Sequence, residues 1–118
     1  MKSQPIQKKI KNAFNGIIFT FKTESNFRFH CYAALFVFLV FLVLQPSLIW
    51  WALIAICIGL VIAAELANTA IENLVDHLHP EIHPAVGKVK DIMAGMVLSL
   101  SILAAIVGLL AIIDTLVP

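Results

Sequence analysis

The sequence predicts an all-α membrane protein, with an N-terminal amphipathic surface helix followed by three transmembrane helices. Three observations carry that expectation. Of 118 residues, 61% are hydrophobic and only 13% charged, whereas soluble domains are roughly 45–50% apolar. Two stretches, Cys31 to Ala64 and Ile92 to Ile113, contain no Asp, Glu, Lys or Arg, and a spanning helix needs about 20 apolar residues. Ahead of both, Ile10, Ala13, Phe14, Ile17, Ile18 and Phe21 recur along a single helical stripe. The length argues for one domain over residues 1–118, and the mean hydropathy of +0.98 places that domain in a bilayer.

The surface helix is expected over about residues 6–24. Lys8, Lys9, Lys11, Asn12, Asn15 and Lys22 fall mostly off its apolar stripe, as suits a helix lying in the interface above anionic lipid heads. The first charge-free run, at 34 residues, holds most of two spans. Gln45-Pro46-Ser47 interrupts it, and because proline removes an amide donor and disfavours helix in the residue before it, a tight turn is expected there. That gives spans at about 29–45 and 48–75, the second opening with Trp50-Trp51, a pair of indoles suited to the membrane–water interface. The second run, of 22 residues, gives a third span at about 92–115.

Charge sets the orientation. Lys2, Lys8, Lys9, Lys11, Lys22 and Arg28 precede the first span, and Lys88 and Lys90 precede the third. All eight basic residues thus fall on one side, which the positive-inside rule makes cytoplasmic, so a multi-pass protein with a cytoplasmic N-terminus is expected. A cleaved signal peptide is not expected, because the charged stretch is long and the apolar run after it exceeds a signal core. The net charge of +1 gives no electrostatic case for nucleic acid. Cys31 and Cys57 fall within apolar spans, where thiols behave as small hydrophobes. His77, His79, Glu81 and His83 make a poor zinc set, since Pro80 interrupts them and no fourth soft ligand follows. Gly95 and Gly108 read as close-packing points between helices, and Asp114 as an outer-interface residue.

The informative segment is Glu65-Leu66-Ala67-Asn68-Thr69-Ala70-Ile71-Glu72-Asn73-Leu74-Val75-Asp76, at the cytoplasmic end of the second span. Asn68, Glu72 and Asp76 follow Glu65 at +3, +7 and +11, so at about 100° per residue three acids and an amide share one face. Stacked acids repel, and an ionised Glu65 beside the hydrocarbon core costs about 2.5 kcal/mol or more. Such a cost points to function, whereas Asp76 is also explained as an acid solvated at a helix end. Carboxylates one and two turns apart can divide labour, the deeper one kept dry as a general base and a shallower one holding Mg²⁺. Phosphoryl transfer uses both roles and also needs cations for phosphate oxygens, which Lys88 and Lys90 supply. Soluble nucleotide-binding templates, GxxxxGK[ST] and GxGxxG, are absent. The residues alone leave a membrane enzyme or a proton-linked transporter subunit.

The twelve residues from Glu65 to Asp76 resemble the signature of the prokaryotic diacylglycerol kinase family, small three-span lipid kinases that include undecaprenol kinases. Two further blocks fit in order: Glu24-Ser25-Asn26-Phe27-Arg28-Phe29-His30 and His83-Pro84-Ala85-Val86-Gly87-Lys88-Val89-Lys90-Asp91. The resemblance runs over nearly the whole chain from about residue 8. It implies that Glu65 is the catalytic base for the lipid hydroxyl and that Glu24 and Glu72 hold the Mg²⁺ bridging the ATP phosphates. Asn68 would orient the base region and the γ-phosphate, and Lys90 and Asp91 would contact the nucleotide. Asn12, Glu81, Ile82 and His83 would complete the ATP site, and Asn26, Arg28, His30 and Ala94 would line the lipid substrate. One departure is that a family member carries an arginine near the position of Pro5, where this chain has only Lys8 and Lys9 nearby. The resemblance also implies a homotrimer with active sites shared between neighbours, in keeping with the little interior that three helices offer a polar face. A histidine at His30 looks more like the undecaprenol kinases, whereas diacylglycerol-preferring relatives tend to carry an acid there. The competing class is a small proton-coupled transport or regulatory subunit in which Glu65 shuttles protons. It predicts no dependence on ATP and leaves Lys90-Asp91 without a role.

Overall fold

The computed structural model describes residues 3–118, so Lys2 of the basic set lies outside them. Four helices follow in order: α1 (Ile6–Thr23), α2 (Ser25–Leu44), α3 (Leu48–Leu78) and α4 (Pro84–Leu116). The last three are long and apolar enough to cross a membrane.

Pro5 precedes α1 in extended conformation, and its carbonyl accepts from the amides of Lys8 and Lys9. The helix ends at Thr23 because Glu24 alone turns extended (φ −116°, ψ 110°), serving at once as the last cap of α1 and the first of α2. Arg28 reaches back from α2 and donates through Nη1 to the carbonyls of Phe21 (2.7 Å) and Lys22 (3.1 Å). Those carbonyls belong to the last turn of α1, where oxygens lack helical partners and a cation is favoured. Phe21 packs edge-on against Phe27 and Tyr32. The C-terminal end of the surface helix is thereby fixed to α2, while Ile10, Phe14, Ile17 and Ile18 of its apolar stripe stay exposed on the single chain.

The turn expected at Gln45-Pro46-Ser47 is present. Gln45 takes the left-handed conformation (φ 55°, ψ 56°), uncommon outside glycine but frequent at helix C-termini, and its side-chain amide donates to the Leu42 carbonyl. α3 then runs unbroken from Leu48 through the acid-bearing segment. α4 begins at Pro84, eight residues before the expected 92. The apolar run marks only the part of a helix that lies in hydrocarbon. Here Pro84 occupies the first helical turn, where its missing N–H costs nothing, and His83 Nδ1 accepts from the Ala85 amide (3.0 Å), so the helix starts in water ahead of Lys88, Lys90 and Asp91.

α3 packs most extensively on α4. The core at the end nearest the Gln45-Pro46-Ser47 turn joins Phe41, Ile54 and Ala111, with Val37, Trp50, Trp51, Ile58 and Val107 against it. Phe41 meets Trp51 edge-on at 5.3 Å. Asp114, read from the sequence as a plain interfacial acid, accepts a hydrogen bond from Trp50 Nε1 (2.8 Å) and so ties the end of α4 to the start of α3. Of the two glycines expected at close approaches, Gly108 has Ile54 of α3 beside it, whereas Gly95 faces open space on the single chain. Close packing at Gly95 is therefore not made within one copy.

Candidate functional site

The site forms where α3 leaves the hydrocarbon and the α1–α2 break comes alongside it. Glu65 is only 3% exposed. It lies two turns inward of Glu72 and three turns inward of Asp76, whose side chain is largely in water. Across from it on α2, His30 Nε2 stands 3.3 Å from Glu65 Oε1. The charges of Glu24, at the extended break, and of Glu72 also bear on the Glu65 carboxylate. Asn68, one turn along α3, has a buried Oδ1 with no hydrogen-bond partner.

That donor set bears on whether a divalent cation fits. Among the described residues, no three His, Cys, Asp or Glu side chains converge as a protein-only cage. Mg²⁺ does not ask for one, since it is usually held through one or two carboxylates with water and substrate phosphate filling the other positions. Glu24 and Glu72 supply hard oxygens around Glu65, and the orphaned Asn68 oxygen is a further acceptor awaiting a partner, so the residues present fit the ion.

A second pair extends the face toward water. Lys90 Nζ at the start of α4 donates to Asp76 Oδ1 (2.7 Å), joining the α4 cation to the end of the acid stripe. The bond is exposed, and an exposed pair is typically worth under about 1 kcal/mol, so a phosphate oxygen can take the ammonium from Asp76 at little cost.

The remaining residues singled out in the sequence are more dispersed. Asn12 is half-buried on α1 and donates to Gln4 (3.3 Å). Asn26, Asp91 and Ala94 are exposed, and Arg28 is held by the carbonyls of α1. Glu81 lies in the α3–α4 loop 3.1 Å from His79 Nδ1, Ile82 is fully exposed, and His83 caps α4. Thr69 escaped the sequence reading. It is 4% exposed and adjoins Glu65 one turn along α3, and the +4 spacing was the available signal.

Next to the acid face, an apolar cleft of about 340 Å³ opens between α2, α3 and α4. His30 is the only titratable residue on its wall. Ala33, Val37, Ile58, Ala104 and Gly108 line its depth. A cleft with apolar walls and a polar group at one end has the form of a site for an amphiphile.

Comparison with known proteins bears on this geometry. Residues 11–112 match the family model described as prokaryotic diacylglycerol kinase. An undecaprenol kinase of Bacillus subtilis (strain 168) is 39% identical over 103 residues, covering 87% of this chain and 84% of that one. A diacylglycerol kinase of Synechocystis sp. is 36% identical over 97 residues, 81% of this chain but only 55% of the relative. A diacylglycerol kinase of Haemophilus influenzae is 33% identical over 81 residues, 69% of each chain.

Proposed function

The chain belongs to the prokaryotic diacylglycerol kinase family and is a membrane lipid kinase that uses ATP as phosphate donor; from that premise we propose that it phosphorylates the hydroxyl of undecaprenol in preference to diacylglycerol, at the Glu65 face. The products are undecaprenyl phosphate from the first acceptor and phosphatidic acid from the second. The observation that carries the reading is a carboxylate, 3% exposed, that stands 3.3 Å from His30 on the wall of an apolar cleft, with further acids toward the water.

The chemistry follows from that layout. The acceptor's chain lies in the apolar cleft and its hydroxyl comes to Glu65, which takes the O–H proton as the alcohol oxygen attacks. A bond forms between that oxygen and the γ-phosphorus, the bond from the γ-phosphorus to the β–γ bridging oxygen breaks, and ADP leaves with the electron pair. Glu24 and Glu72 would hold Mg²⁺, which would supply neutralising charge to the ATP phosphates. Asn68 offers its amide to the γ-phosphate region, and Lys90, released from Asp76, offers an ammonium to the phosphates. Asn12, Glu81, Ile82, His83 and Asp91 surround the nucleotide, and Asn26, Arg28, His30 and Ala94 the lipid headgroup.

Asn26, Ile82, Asp91 and Ala94 are exposed on one chain, and the apolar stripe of α1 is uncovered. Both features support a homotrimer in which neighbouring copies complete each site. The basic residues ahead of α2 and α4 support a cytoplasmic N-terminus in the bacterial inner membrane, on the side where ATP is available. For the acceptor, the relative from B. subtilis carries the name undecaprenol kinase, and His30 stands on the cleft wall where an acid would disfavour an apolar chain. Kinase-family membership argues against a proton-coupled transport or regulatory subunit, which also leaves Lys90-Asp91 idle.

The test is transfer of labelled γ-phosphate from MgATP by the purified protein in mixed micelles, with undecaprenol and diacylglycerol side by side. A higher kcat/KM for undecaprenol is expected. The reverse preference contradicts the acceptor assignment and leaves the kinase chemistry standing.

A further inference from the structure

His30 belongs both to the polar face and to the apolar cleft. It sits in the second turn of α2, edge-on to Phe29 at 5.5 Å, and its Nε2 lies 3.3 Å from Glu65 Oε1 on α3. Among the described residues, no other basic side chain forms an ion pair with Glu65. The other charges that bear on Glu65, those of Glu24 and Glu72, are acidic and repel it. A carboxylate turns readily about its last torsion, so one that is pushed by two acids needs a holding group if it is to meet a hydroxyl in a fixed direction. The imidazole stands where such a group is required.

We propose that His30 is the positioning residue of the Glu65 carboxylate, holding one oxygen toward α2 at the mouth of the apolar cleft so that the other meets the hydroxyl of a lipid whose chain fills that cleft. The inference rests on the reading of Glu65 as the base. It assigns His30 a part in turnover itself, beyond a headgroup contact, because the same ring forms the cleft wall and fixes the group that takes the proton. A base held off its productive direction by as little as 1 Å costs about 100-fold in rate.

The test compares His30→Ala and His30→Gln with the parent protein in mixed micelles containing undecaprenol, measuring kcat and the KM values for acceptor and MgATP. Gln keeps an N–H at similar reach, and Ala does not. The expected result is a kcat lowered about 10- to 100-fold in His30→Ala, an unchanged KM for MgATP, and recovery of most of the loss in His30→Gln. On a Glu65→Gln background, His30→Ala is expected to add nothing to the residual rate, because residues that act as one unit are not additive. Parental kcat in His30→Ala overturns the proposal, as does an equal loss in both variants or a change confined to the acceptor KM. If Glu65→Gln is inactive while His30→Ala is fully active, only the positioning role fails. If Glu65→Gln itself turns over normally, the base assignment fails first.

Discussion

Glu65→Gln is expected to lower kcat by about 10²- to 10⁴-fold, the range that a positioned general base contributes, with the KM for MgATP nearly unchanged. The exchange is nearly isosteric and removes only the proton acceptor. It also removes a buried charge that stands near Glu24 and Glu72. Beside two acids, and with His30 as its one ion-pair partner among the described residues, this buried charge costs the fold stability, so the thermal midpoint in micelles is expected to stay level or rise, which separates lost chemistry from lost structure. Steady-state transfer and a melt on the same preparation check both halves. Near-parental turnover in a protein that melts normally contradicts the role given to Glu65.

Glu72→Gln and Glu24→Gln act on a different quantity. If their carboxylates hold Mg²⁺, neutralising either one is expected to raise the half-saturating Mg²⁺ concentration at least about tenfold, because the ion is bound by few protein oxygens and each matters. Excess Mg²⁺ then restores part of the rate. Asp76→Asn provides the contrast. Asp76 lies one turn farther toward water and is bonded to Lys90, so its loss is expected to leave the Mg²⁺ requirement in place. Titrations of Mg²⁺ at saturating ATP distinguish these outcomes, and an unchanged requirement in both glutamate variants removes them as metal-holding residues.

The sequence carried the helices well because charge is expensive in hydrocarbon and its absence is easy to see. Cys31 to Ala64 and Ile92 to Ile113 located the spans, and Pro46 located the turn between the first two. The start of α4 was less legible, since a helix that continues into water leaves no apolar trace and its beginning depends on the His83 cap and Pro84. Burial of Glu65 could be anticipated from its place after 34 uncharged residues. Its contact with His30 could not, because that contact depends on the rotation of α2 against α3, which no spacing within either helix specifies. The same limit applies to Lys90 and Asp76, fourteen positions apart on two helices. Arg28, taken from the resemblance as a lipid contact, is engaged with the end of α1. Exposed Asn26, Asp91, Ala94 and Ile82 gain meaning only against a ligand or a neighbouring copy.

The central claim is that the lipid hydroxyl attacks the γ-phosphorus directly, with Glu65 as base and no phosphorylated enzyme between. The stereochemical course of transfer from ATP made chiral at the γ-phosphorus with oxygen isotopes tests it most directly. A single in-line displacement predicts inversion in the phosphorylated lipid product. Retention would contradict the account, because it requires two displacements and makes a protein side chain, Glu65 first among the candidates, a nucleophile that carries the phosphoryl group.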